Sequence, residues 1–352
     1  MPEPLPPISE IEHKFATLPS AISAYNTCLH YERSVSSRQH LIFVRVLGYL
    51  LLYAPSDEAL AEVARTIHSC GQDAIRLCAL GEAFVHWFIR AFRKFRTRTA
   101  PSSDSPSRNS FDSRDRPLLK VSIQDPPKDD QTAKAQALLR DGYRCLISGR
   151  YDPLAMERLD VPVDEFFKFG PAASTECAHI VPASTYFHVK TDNLDQDPNK
   201  ENYAASVLAV LMRFGYNVDK LNNTNVHSLS NVMTLEKSTH DFFDQLRLWL
   251  EPTDTPNCYR VQALDPRYTH PGRQLVTFST PDPEHLPLPS AELLALHAVC
   301  AKVAHLSGAA EYLDELDRDL EMSNVLASDG GSSEVLYHAI TRLAGEGLGV
   351  GG

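Results

Sequence analysis

The chain has 352 residues, enough for two domains rather than one, and its 43% hydrophobic and 22% charged residues are those of a globular protein with a real core. A formal net charge of −11 and a pI near 5.7 argue against a protein that coats nucleic acid over its whole surface, so any such partner is expected to be met by a local basic patch. Seven cysteines, odd in number, widely spaced and without a CxxC pair, exclude a disulfide framework and a zinc knuckle, and they favour a reducing compartment, cytoplasm or nucleus.

The opening residues, MPEPLPPISEIEHKF, lack the basic-then-apolar order of a secretory leader. Residues 8–98 then read as one helix after another. Apolar residues recur at helical spacing through ISEIEHKFATLPSAISAYNTCLHYE and again over 39–53. The longest apolar run, LIFVRVLGYLLLYA at 41–54, contains Arg45 and falls short of the roughly 20 residues a membrane span needs. It is read as a buried helix, and no membrane partner is expected. Ser56 followed by Asp57 and Glu58 is a helix start. The helix through AIRLCALGEAFVHWFIRAFRKFR ends in Arg90, Arg93, Lys94, Arg96 and Arg98. Those cations suit the negative end of a helix dipole, and they also form a candidate phosphate-contacting patch. RAFRKFRTR is in addition a short candidate nuclear-import signal.

From 97 to 130 serine, proline, aspartate and arginine dominate without periodicity, which reads as a disordered linker. The expected organisation is an all-helical domain at 1–98, a linker at 99–131, a mixed domain at 132–285, C-terminal helices at 286–346 packed on it, and a flexible tail at 347–352. The fold class is α+β, and the helical domain is a candidate surface for protein partners. Within the mixed domain QTAKAQALLRDG is a short helix, and YRCLISGRYDP at 143–153 a hairpin turning at Ser-Gly. ECAHIV is a strand that Pro182 stops by removing a ladder donor. An insertion at 183–230 carries the helix NYAASVLAVLMRFG. SLSNVMTLEKSTHDFFDQLRLWLEP supplies a turn, a helix and the start of a strand, and CYRVQAL pairs with RQLVTFST. Helices return at 290–307, 309–322 and 334–344.

Chemistry concentrates in the mixed domain. His179 ends a strand, Asn231 precedes a helix, and Ser238 is the expected N-cap that introduces His240. Asp244 lies four residues after His240, so both project from one helical face, and a histidine and carboxylate at that spacing can chelate one divalent ion. Cys145 and Cys177 flank the motif strands and are read as small core residues rather than zinc ligands. His188, His227 and His270 have no partner at useful spacing along the chain.

YRCLISG, AHIVP, LSNVMTL and STHDFFDQL, in this order, resemble the HNH endonuclease family over residues 133–259. The form with alanine before the first histidine looks like the group of that family common in fungal proteins. The resemblance implies a ββα-metal fold with added helices, and hydrolysis of phosphodiester bonds in DNA with one divalent ion, Mg²⁺, Mn²⁺, Ni²⁺ or Zn²⁺. It implies His179 as the general base, suited by an unperturbed pKa near ~6.5, and Asn231 as the amide that holds the base or its loop. His240 would ligate the ion that stabilises charge on the phosphate and the leaving oxygen, and Asp244 would be a second ligand. Many members place a metal ligand directly before the base, where this chain has Ala178. Glu176 is the candidate replacement, expected on the strand face of His179 by alternation. That departure leaves a second reading open, an HNH-fold module that binds nucleic acid or protein without catalysis.

Overall fold

The computed structural model describes residues 2–16, 18–93, 127, 129–182, 212, 214 and 226–322. The expected linker and the last expected helix lie outside the described residues, as does the insertion helix apart from two positions.

Six helices form the first layer: α1 (Ile8–Ile11), α2 (Pro19–Ser34), α3 (Arg38–Leu52), α4 (Asp57–Ser69), α5 (Ala74–Phe84) and α6 (Arg90–Phe92), with a π-helical turn at Val85–Ile89 joining the last two. The start signals act as capping chemistry predicts. Ser56 accepts the Ala59 N–H at the head of α4, and Asp73 accepts those of Ile75 and Arg76 at the head of α5. The apolar run of α3 is buried on nearly every side, and α5 crosses it at Gly81. A Cβ at Gly81 would sit 2.3 Å from the carbonyl oxygen of Phe43, so only glycine permits that approach.

The mixed region begins with α7 (Asp130–Arg140), capped by Asp129 accepting the Thr132 N–H. Gly142 at φ +64° turns the chain out of it. The hairpin expected next is reduced to one bridge, Arg144 with Tyr151, around a left-handed Gly149. Short helices α8 (Ala155–Arg158) and α9 (Val163–Phe166) follow. Strand β1 (Thr175–His179) then pairs antiparallel with β2 (Val232–Glu236), from Thr175 opposite Glu236 to His179 opposite Val232. Helix α10 (Lys237–Asp244) continues directly from β2. A second antiparallel sheet runs β3 (Leu248–Pro252), β4 (Cys258–Ala263), β5 (Leu275–Thr277), and includes the expected closing pair.

Two expectations require correction here. Asn231 precedes strand β2 rather than a helix, because the apolar residues of VMTLE pair with β1. Ser238 is not the N-cap; Glu236 occupies that position, and the Ser238 hydroxyl donates to its carboxylate.

Helix α11 (Ala291–Ser307) ties the two regions together. Apolar residues ring it rather than line one side, so it packs against α3 and against β3. One apolar cluster therefore runs from Leu47 through Leu294 and Val303 to Leu250 and Val276. The C-terminal helices pack on the N-terminal helices as well as on the mixed region. Arg93 reinforces this joint by pairing with Asp314 and Asp317 of α12 (Ala309–Met322). Arg90 and Arg93 are only 3% and 6% exposed, so these two cations are core residues rather than part of a phosphate-facing patch. Lys94, Arg96 and Arg98 lie outside the described residues. No described helix is by itself long and apolar enough to cross a membrane.

A buried ion pair sets the position of α7. Arg140, 1% exposed, meets Asp141 at 2.7 Å and donates to the carbonyls of Leu229, Val232 and Pro287. Asp141 in turn accepts the Thr234 N–H of β2 at 2.9 Å. Every hydrogen bond the pair needs is made inside the protein, which is what makes burying it tolerable.

Candidate functional site

The β1–β2 ribbon has a helix on each face, and that arrangement sorts the candidate residues. Ala178, Met233 and Leu235 join Phe243 of α10 in the large core. Cys177 and Val232 pack with Ala137 of α7. Side chains directly opposite across a ladder share a face, so His179, opposite Val232, belongs to the α7 face. Glu176 shares the face of Ala178, toward α10. The expectation that Glu176 and His179 share a face is corrected: they are three residues apart, and alternation sends them to opposite sides.

On the α10 face His240 is 9% exposed and stands between two carboxylates. Its Nδ1 lies 2.8 Å from Glu176 Oε2, and its Nε2 lies 3.3 Å from Asp244 Oδ2. The helical spacing of 240 and 244 brings Asp244 under the ring, while Glu176 reaches it from β1. The two acids address different nitrogens, so they do not converge on one point.

On the α7 face the Nε2 of His179 lies 3.2 Å from the Nδ1 of His227, with the rings at 69°. Asp130, the first residue of α7, joins them: one ligand atom from each of Asp130, His179 and His227 lies within 4.8 Å of the others. Burial pushes the His227 imidazole below its ordinary pKa, with the carboxylates of Asp130 and Asp129 opposing that shift. Neither Asp130 nor His227 was legible as a site residue, since no spacing along the chain relates them to His179.

Asn231 is fully buried and uses its side chain on backbone. Its Oδ1 accepts the Val181 N–H at 2.9 Å, and its Nδ2 donates to the carbonyls of Val181 and Val226. It thus fastens the exit of β1, just past His179, to the segment that carries His227.

Glu236 anchors the head of α10. It is buried, bonded by Arg150 at 3.1 Å and His270 at 2.9 Å. Burial alone would raise its pKa; the His270 hydrogen bond and charge, Arg150 and the Thr239 hydroxyl outweigh it, and the carboxyl ends below its usual range. His270 therefore has a structural partner that spacing did not reveal, and His188 lies outside the described residues. Burial pushes the thiols of Cys145 and Cys177 up, which disfavours the thiolate a metal requires.

Residues 145–251 match the family model described as HNH endonuclease. No curated protein and no solved structure matches the chain. Both ribbon strands and α10 lie inside the matched segment, together with Glu176, His179, His227, Asn231, His240 and Asp244, whereas Asp130 lies before it. The chain carries a domain of the HNH endonuclease family at residues 145–251.

Proposed function

We propose that this domain is a metal-dependent endonuclease that hydrolyses phosphodiester bonds in DNA. The observation that carries the reading is an imidazole at the end of β1 and a carboxylate-flanked imidazole on α10, both inside the matched HNH segment.

The family implies a divalent ion, and His240 with Asp244 fits one. Two ligand atoms about 2.1 Å from a common ion stand roughly 3.0–3.4 Å apart, and Nε2 and Asp244 Oδ2 are separated by 3.3 Å. Glu176 then serves as an orienting partner rather than a ligand. Its bond to Nδ1 fixes the ring so that Nε2 faces Asp244, the arrangement in which a carboxylate holds a metal-binding histidine. When bound, such an ion stabilises charge on the phosphate and on the leaving oxygen.

His179 acts as general base through one nitrogen, and its partner decides which. If His179 donates from Nε2 to His227, its Nδ1 carries the lone pair and can take a proton from water. If His227 donates instead, Nδ1 of His179 holds the proton and the ring is no base. The active tautomer is the first. Asn231 keeps the base segment in place through its three backbone bonds. Because His179 and His240 leave the ribbon by opposite faces, the scissile phosphate is placed at the ribbon end, where β1 stops and the faces meet. Contacts to the DNA are expected to be mainly to backbone, with little sequence preference.

A second reading, a DNA- or protein-binding module without catalysis, is favoured by one feature: Ala178 is fully buried where many members carry a ligand. Single-turnover cleavage of supercoiled plasmid with Mg²⁺, Mn²⁺, Ni²⁺ or Zn²⁺ separates the two. The nuclease reading expects nicked or linear product from the wild type and none from His179→Ala. Equal products from both, or none with any ion, would leave only the binding module.

A further inference from the structure

We propose that Asp130, His179 and His227 form a second metal site, selective for zinc-class ions, distinct from the His240–Asp244 pair. Asp130 begins α7, His179 ends β1, and His227 lies five residues before β2. Three segments distant in sequence thus place a carboxylate and two imidazoles around one point, with ligand atoms mutually within 4.8 Å. The spacing of the nitrogens fits. Two nitrogens each about 2.05 Å from a tetrahedral zinc stand roughly 3.3 Å apart, and His179 Nε2 and His227 Nδ1 are separated by 3.2 Å.

A hydrogen bond alone would account for the two rings, but not for a carboxylate within reach of both. Two imidazoles and one carboxylate, with a fourth position open to solvent, is a familiar donor set for zinc, and it suits nickel and cobalt. Magnesium, which prefers oxygen ligands and keeps its waters, gains little there. The ligands also differ usefully in freedom. Asp130 is exposed and can close on an ion, while the backbone segments carrying the histidines are pinned together by Asn231 through Val181 and Val226. His227 is half-buried, which favours the neutral ring that ligates.

Occupancy has a consequence that rests on the nuclease reading above. An ion on Nε2 of a neutral imidazole leaves the remaining proton on Nδ1. That is the nitrogen assigned to take the proton from water. Zinc here would silence His179 without touching His240.

The site itself is tested without activity. Metal-free full-length protein is titrated with Zn²⁺ by calorimetry and with Co²⁺ by visible absorption, for the wild type, Asp130→Asn, His227→Gln and His240→Ala. The wild type is expected to bind one ion that Asp130→Asn and His227→Gln bind at least about tenfold more weakly, and that His240→Ala retains. Asp130 is exposed, so its variant keeps the fold, checked by an unchanged melting temperature. Identical isotherms for the wild type and Asp130→Asn overturn the site. The silencing is read separately, as zinc inhibition of Mg²⁺-supported cleavage that Asp130→Asn relieves; equal inhibition in both overturns it. Absence of all cleavage defeats the nuclease reading and leaves the binding result standing.

Discussion

The two faces of the β1–β2 ribbon are built from similar residues to different ends. Toward α10, one imidazole is held between two acids, and Phe243 on the same helix is packed into the main core. Toward α7, two imidazoles meet one acid, and the apolar support is the small cluster of Ala137, Leu229, Val232 and Leu286. The first face concentrates negative charge around a single nitrogen donor, which suits a hard divalent ion shared with a phosphate. The second concentrates nitrogen, which suits proton transfer or a softer ion. A ribbon only two strands wide can keep these chemistries apart because alternate residues point to opposite sides.

The largest test of that contrast is His179→Ala. Loss of a general base typically costs about 10²–10⁴-fold in rate, and the variant is expected to lose cleavage by that factor while the His240 site keeps its metal affinity. Equal loss of metal affinity on both faces would show that the faces are not separate. Next is Asn231→Ala, which strands the Val181 N–H and the carbonyls of Val181 and Val226 in the interior. Unsatisfied buried groups cost about 1–3 kcal/mol each, so a loss of roughly 3 kcal/mol is expected in urea denaturation. A change below about 0.5 kcal/mol would mean water replaces the amide.

The α10 face carries a pH signature of its own. His297 on α11 stacks on Phe243 at 3.7 Å and meets its carbonyl through Nε2, while its Nδ1 is buried without a hydrogen-bond partner among the described residues. Burial, opposed by that carbonyl bond and by Asp244, pushes its pKa down to about 4. The unfolded chain takes up the proton first as pH falls, so this contribution is complete above about pH 6.5 and is lost progressively toward pH 4. Melting temperature is expected to fall across that window, by the equivalent of at most about 3 kcal/mol, and His297→Gln is expected to flatten the curve. An unaltered slope in that variant would assign the acid sensitivity elsewhere. Smallest is Glu176→Gln. As an orienting partner its loss should weaken ion binding at His240 by about 10–100-fold, with ligation retained; complete loss of the ion would make Glu176 a ligand after all.

Local order explains which features the sequence reveals. The His240–Asp244 pair follows from helical spacing, the helix starts at Ser56 and Asp129 from side-chain chemistry, and the buried character of α3 from its composition. Strand β2 escapes because VMTLE is too short for its apolar residues to show a period, and its identity depends on pairing with β1 across the 183–230 insertion. Arg140 and Asp141 read as an ordinary charged helix end, and only the fold shows them buried as the bolt between α7 and β2. The same holds for Arg93, whose acidic partners lie more than 200 residues away. His227 and Asp130 belong to this class too. Their meeting with His179 is a product of tertiary packing, with no trace in spacing.

The division of labour between the faces is tested most directly by anomalous diffraction from crystals grown with Mn²⁺. The account predicts an ion between Nε2 of His240 and the Asp244 carboxylate, with Glu176 still bonded to Nδ1. An ion on Nδ1 of His240, or manganese found only among Asp130, His179 and His227, would contradict it.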